Sequence, residues 1–283
     1  MNKIMKLVFA SILMLTSLMA KDKGMDLPSS TPIEVFEMNE NQIGIGYIQF
    51  NVKLSLEDAY FEDKIGDVDY DNKGIIVTLP ANTSTMIGKM FELSYTAGVI
   101  DSKLKNGRFT DSGNIYNNSY EKNGFYLGIR PSFSVNIYDG DMFKLKNSTA
   151  LHAIAYTLSG DFSVNNNNGL NYAYDETSYG VGVKPSTVLS GTFYPISNFG
   201  LSGFVGASTF LALDVNNYTN KSTSLDSDVE VGGYMSSIDP IYGFDVIFKG
   251  IFSDNDTFNL SSVFSQKNDE AGVETIVRYI FTY

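Results

Sequence analysis

A chain of 283 residues with one histidine and no cysteine has few routes to covalent or metal chemistry. His152 is the sole imidazole, and a general acid or base of that kind needs an orienting carboxylate or a nucleophile beside it. Asp161 is the first acid downstream, and neither an Asp-Asp pair nor a His-Ser motif accompanies the histidine. His152 therefore reads as a hydrogen-bonding filler, and no enzyme is expected. The run Asp67-Val68-Asp69-Tyr70-Asp71-Asn72 matches the first half of a calcium loop. It has Asn72 where the sixth-position glycine belongs and Thr78 where the twelfth-position acid belongs. Asp67, Asp69 and Asp71 are thus expected to form an acidic loop with weak divalent-cation contact at most. Gly44-Ile45-Gly46 and Gly180-Val181-Gly182 lie inside strand-like runs with no helix after them, so they cradle no nucleotide. No cofactor and no resident metal are expected. The formal charge of −12 argues against nucleic acid and favours cationic solutes.

Positioning falls to strands. Ten strand-like runs follow a polar segment 21–41, and they are expected over 42–56, 74–80, 87–101, 124–138, 142–159, 177–194, 199–213, 229–252, 258–266 and 273–283. Most alternate apolar and polar residues with period 2. The clearest is 124–138, with Phe125, Leu127, Ile129, Pro131, Phe133, Val135 and Ile137 on one parity. The first run is read with Ile48, Phe50, Val52, Leu54 and Leu56 on its greasy side. Short connections alternate with long ones, the long ones being 57–73, 102–123, 160–176 and 214–228. Arg130-Pro131, Lys184-Pro185 and Asp239-Pro240, with Pro80 before them, recur about 50–55 residues apart, as hairpin duplication would leave them. The residues ahead of these prolines are expected at similar depth.

The closing run, Val273 to Tyr283, has Val, Thr, Val, Tyr, Phe, Tyr on one parity and ends on the aromatic. At the other end, Lys3 and Lys6 precede an apolar stretch Leu7–Met19 and the small residue Ala20, which reads as a signal peptide over 1–20. Its removal would leave a charge of about −14. Together these features resemble bacterial outer-membrane β-barrel proteins as a class. The resemblance implies an all-β, closed antiparallel transmembrane barrel over 42–283, of about ten strands within a range of roughly eight to twelve. It implies export to a Gram-negative outer membrane and contact with lipopolysaccharide. It also implies recognition of Tyr279, Phe281 and Tyr283 by the outer-membrane assembly machinery. Tyr138, Phe143, Tyr194, Phe199, Phe252, Phe258 and Tyr283 would form an aromatic girdle beside the short turns. A secreted sandwich would also bury alternating strands, but its strands usually run ~5–6 residues, shorter than these.

If parity holds, the lumen receives Lys53, Glu92, Arg130, Lys144, Lys146, His152, Lys184, Asp239, Asp245, Lys249, Glu274 and Arg278. His152 would face Gly128, diagonal to Arg130. A ten-strand interior is close to the width that side chains fill, so these mixed charges would pair. The expected function is a structural barrel or a narrow passive pore for small solutes or ions. The alternatives are a surface adhesin or ligand-binding barrel acting through the long loops, and a lipid- or peptide-hydrolysing barrel centred on His152.

Overall fold

The computed structural model describes residues 41–57, 64–80, 91–111, 114–166, 171–221, 227–235, 238–267 and 270–282. The expected signal peptide (1–20) and nearly all of the leader (21–41) lie outside these residues, as does Tyr283. Twelve strand segments are described: β1 Gln42–Glu57, β2 Lys64–Pro80, β3 Phe91–Asp111, β4 Asn114–Asp139, β5 Phe143–Asn166, β6 Asn171–Ile196, β7 Phe199–Ser208, β8 Leu211–Asn220, β9 Ser227–Met235, β10 Asp239–Lys249, β11 Thr257–Lys267 and β12 Glu270–Thr282.

All pairings are antiparallel, and β1 pairs with β12 from Gln42–Thr282 to Asn51–Val273. That ladder and the β5–β6 pairing close the sheet into a ring, as a sheet in lipid must, while β9 at its outer end pairs with β8 alone among the described residues. β7 and β8 both lie along β6, and β9 and β10 follow them on the far side. Each pair is one transmembrane strand cut in two, so twelve segments make a barrel of ten strands.

Both cuts lie in one register row. Pro185 lacks an N–H and sits opposite Thr209, where β7 gives way to β8. Thr209 still donates its amide to the Pro185 carbonyl at 3.2 Å. On the next strand the register slips by one residue between the Leu211–Met235 and Ser208–Asp239 pairs. A one-residue slip reverses which parity faces out. Val229 and Val231 are accordingly exposed on β9, whereas Tyr242, Phe244 and Phe248 are exposed on β10. The run expected as one strand over 229–252 is thus two pieces in opposite phase.

The outward chemistry is banded. The row Phe91–Phe133–Thr149–Thr187–Ala207 runs across β3 to β7, and the row Val99–Phe125–Thr157–Tyr179–Val215 runs across β3 to β8. On β3 the apolar band occupies Phe91, Leu93, Tyr95, Ala97 and Val99, which suits the ~9–11 residues a tilted membrane strand needs. One row further the surface becomes Asp101–Asn123–Ser159–Thr177–Asn217. The strands do not end there. β4 continues to Asn114 and β5 to Asn166. At ~3.3 Å per residue the β4 extension runs about 30 Å along the strand. The segments expected as long loops over 102–123 and 160–176 are therefore mostly strand, as is much of 57–73. Cross-strand polar pairs hold them, among them Ser119–Ser163 at 2.7 Å and Ser159–Thr177 at 3.1 Å.

Inside, glycines on the wall give bulky side chains a place to lie. A Cβ on Gly180 would stand 2.1 Å from Tyr156 Cζ, so the Tyr156 ring rests directly on that backbone. Gly203, on the outer face, has nothing within 4 Å of the same point. Gly180→Ala should destabilise the barrel by about 1–3 kcal/mol through overpacking. Gly203→Ala should stay within about 0.5 kcal/mol of the wild type. Urea unfolding of the two variants in detergent checks the contrast.

Candidate functional site

The lumen brings together most of the charged residues singled out above. Arg130, Lys184, Asp245, Glu274 and Arg278 are all buried, although each could reach water if the lumen were open. His152 pairs in register with Lys184, and the neighbouring Ile129–Ala153 pair sets Arg130 on its other side. Arg130, His152 and Lys184 thus stand abreast on β4, β5 and β6. The His152 ring leans over Gly128, with Nε2 2.5 Å from where a Cβ would be. Gly128 itself pairs with Ile154, so the expected placement is corrected to one level with Arg130. The hairpin closes on the Asp139–Lys144 pair, which moves the register by three residues, and the bulge between Asn136 and Tyr138 takes one of them back.

Facing this row are acids from the other wall. Lys184 interacts electrostatically with Glu274 and Asp239, which places two of the residues ahead of prolines within reach of one another. Asp245 lies beside Ser261 and Asn259 and feels the charge of Arg278. Nearer the short-turn rim, Lys146 pairs with Glu92 at 3.6 Å. Lys144 is half-exposed and paired with Asp139 at 3.1 Å. Lys249 is exposed at the mouth, with Nζ 4.7 Å above the Tyr194 ring. Tyr194, expected in the outer girdle, therefore lies on the inner side. The side chain of Lys53 lies outside the described residues.

Two apolar clusters share the lumen with these charges. The larger joins Ile48, Ile76 and Ile276 from one wall to Tyr126, Ile154, Tyr156, Leu158, Phe210 and Ala212 from the other. The smaller comprises Val188, Phe204, Ile241 and Val263. Ile48 was expected to face lipid with Phe50, Val52, Leu54 and Leu56. It is 1% exposed and points inward, while Ile45 and Tyr47 are the exposed residues of that strand. The side chains of Phe50 to Leu56 lie outside the described residues.

Outward of the larger cluster is a polar group that the sequence reading missed. Lys122 forms an ion pair with Glu176, the side chains being 3% and 7% exposed. Lys122 Nζ also donates to Ser178 Oγ at 2.9 Å, and Ser178 Oγ donates to Glu176 Oε1 at 3.2 Å. On β8, Asp214 Oδ2 accepts from Asn216 Nδ2 at 2.8 Å. Lys122, Glu176 and Asp214 fell in or at the edge of segments read as loops, so inward parity was not assigned to them. Extending the even parity of Arg130 and Lys184 along the same strands would have found Lys122 and Glu176.

Asp67, Asp69 and Asp71 occupy alternate positions of β2, not a loop. The backbone there is extended and paired on both sides, which is not the wound path of a calcium loop. Asp71 accepts from Gln49 Nε2 at 3.4 Å. Just beyond the apolar band, Lys221 bridges Asp161 (2.7 Å) and Asp175 (3.3 Å), and Lys103 pairs with Glu121. The Lys221 hydrogen bond holds the Asp161 carboxyl below its usual range, and Asp161 in turn raises the Lys221 ammonium.

At the opposite rim, the turn after β10 forms around Asp256. Its carboxylate accepts the backbone amides of Ile251 and Phe252 at 2.8 Å and of Ser253 at 3.1 Å. It also accepts the Tyr279 hydroxyl at 2.6 Å, tying the closing strand to the turn. Phe252 meets the Tyr279 ring edge-on at 5.7 Å, and Phe281 stacks on Tyr279 at 6.1 Å.

The wider comparisons bear on the fold. No protein-family model and no curated protein matches the sequence. Among solved structures, the outer membrane protease OmpT from Escherichia coli is similar over 88% of this chain and 99% of its own, with TM-score 0.50 and 10% identity. The transport unit of the autotransporter AIDA-I from Escherichia coli covers 97% of each chain at 8% identity and TM-score 0.44. Ail of Yersinia pestis covers 86% of this chain and 100% of its own at 14% identity and TM-score 0.26. The fold is that of a bacterial outer-membrane β-barrel, closed and ten-stranded, with an apolar band of the width a bilayer needs.

Two outcomes follow from these contacts. Lys122→Met leaves Glu176 buried without its partner and should cost about 3–5 kcal/mol, most of it recovered by adding Glu176→Leu; urea midpoints of both variants check this. For Asp256, burial raises the carboxyl, but Tyr279 and the three amides outweigh it and hold the group below the usual range. The folded value lies below the unfolded one, so the stabilisation is full above about pH 4 and is lost as pH falls through the lowered value. The stability gap between wild type and Asp256→Asn should therefore shrink below about pH 4, read from denaturation midpoints across pH.

Proposed function

We propose that this outer-membrane barrel is a sealed anchor, and that its working part is the polar wall that β3 to β6 raise outside the membrane. The observation that carries this is the larger apolar cluster, which reaches from β1, β2 and β12 across to β4, β5 and β8. An ion crossing that level would lose its water without gaining polar partners. The paired charges beside it stiffen the interior and line no open path. A surface-binding role is favoured over the narrow pore because β4 and β6 are 26 residues long, well over twice the ~9–11 needed to span the bilayer. The outer wall so formed is polar, with Lys73, Lys103 and Lys221 near the level of outer-leaflet phosphates, which suits lipopolysaccharide contact. The aromatic face of β12 suits recognition by the assembly machinery through Tyr279 and Phe281. A hydrolase centred on His152 finds less support, since its register neighbours are Arg130 and Lys184, neither of which can orient the imidazole as a carboxylate would.

Single-channel recording in planar bilayers tests the seal. The wild type should show no conductance steps, and a variant carrying both Ile154→Gly and Phe210→Ala should show them. Steady wild-type conductance would return the narrow pore to first place.

A further inference from the structure

We propose that the outer half of the lumen holds a binding site for a small primary amine, built on Asp214 and Tyr156. This goes beyond the surface-binding role and does not depend on it. Along β8, Asp214 lies outward of Phe210 and Ala212, which belong to the apolar cluster. A solute reaching Asp214 therefore comes from the extracellular side.

The first observation is a charge imbalance. Outward of cluster members such as Ala212, Ile154 and Ile276, the described residues bury three carboxylates, Glu176, Asp214 and Glu274, and one ammonium, Lys122; Glu274 faces Lys184. Lys122 is engaged with Glu176 and Ser178. Asp214 is left with an amide donor on one oxygen only. A buried carboxylate without a counter-charge is costly.

The second observation is independent of charge. Asp214 Oδ1 and the Tyr156 hydroxyl are both buried, and neither has a hydrogen-bond partner among the described residues. They belong to one place. Tyr156 pairs with Gly180, and Gly180 pairs with Asp214 on the next strand. The Tyr156 ring lies flat on Gly180, with its hydroxyl 2.3 Å from where a Cβ would stand, so it spans the glycine toward the carboxylate. The two groups interact electrostatically.

Two uncommitted oxygens beside an apolar floor do not suit a hard metal ion, since calcium takes 6–8 oxygens and magnesium an octahedron. Among the described residues no cluster of three or more His, Cys, Asp or Glu could hold one. The pair does suit an ammonium group. One N–H would donate to Asp214 Oδ1 and one to the Tyr156 oxygen, with the alkyl body against Phe210 and Leu158. Aromatic faces beside a carboxylate favour organic cations. The overall charge of −12 would draw such solutes toward the mouth.

The test uses the full-length barrel in detergent and isothermal titration with n-pentylamine and n-pentanol. The amine should bind at least tenfold tighter than the alcohol. Asp214→Asn should lose that advantage, and Tyr156→Phe should weaken the amine severalfold, with folding confirmed by heat-modifiable migration on gels. Equal affinity for the two probes, or no saturable amine binding, would overturn the site. So would a folded Asp214→Asn that keeps wild-type affinity. If Asp214→Asn does not fold, unchanged amine affinity in Tyr156→Phe overturns it alone. A lysyl tripeptide runs beside them, and tighter binding than pentylamine would assign the ammonium to peptide side chains and defeat the free-amine assignment.

Discussion

The hydrogen-bonded ladder between the first strand and the last is the constraint on which everything else rests. Hydrocarbon offers amides no partner, so a sheet in lipid must pair both of its edges or not exist there. Here the Gln42–Thr282 to Asn51–Val273 register supplies that pairing. Asp256 secures it from the side by holding Tyr279. Once the ring is closed, each strand has one face toward lipid and one toward the lumen. The barrel's two chemistries follow from that division.

The interior then resolves into three kinds of contact. Apolar side chains from opposite walls meet across the middle. Charged residues stand among and beside them, the basic row of β4 to β6 facing acids from the other wall. Aromatic rings use glycines as recesses, as Tyr156 does on Gly180. Each follows from limited width, because ten strands leave little room for solvent. A small polar solute would have to displace packed atoms to pass.

Much of this was legible in the residues. On β4 and β6 the outward parity is apolar at every position from Phe125 to Ile137 and at all but Thr187 from Tyr179 to Leu189, because lipid demands apolar groups on that side while the charged lumen tolerates polar ones on the other. Ten strands, their antiparallel order and the inward placement of Arg130, His152 and Lys184 followed. Two things defeated the pattern. Beyond the apolar band the outer face is polar and the inner face carries the buried Lys122–Glu176 pair, so alternation disappears and Lys122, Glu176 and Asp67 looked like loop residues. On β1 the filled lumen makes an inward residue, Ile48, as greasy as the lipid-facing Ile45 and Tyr47, and hydropathy alone cannot assign the side. Asp214 was hidden for the first reason, at the edge of a segment that looked like loop.

The slip between β9 and β10 carries a consequence for how this wall can vary. Above it, odd-numbered side chains meet the exterior; below it, even-numbered ones do. A single-residue deletion at the joint would merge the two alternations into one unbroken phase and leave the oily side chains of both halves facing outward. The extra residue lets two pieces of opposite numbering parity share one wall, and the joint, unlike the interior of either piece, can lose a residue without turning an oily face inward.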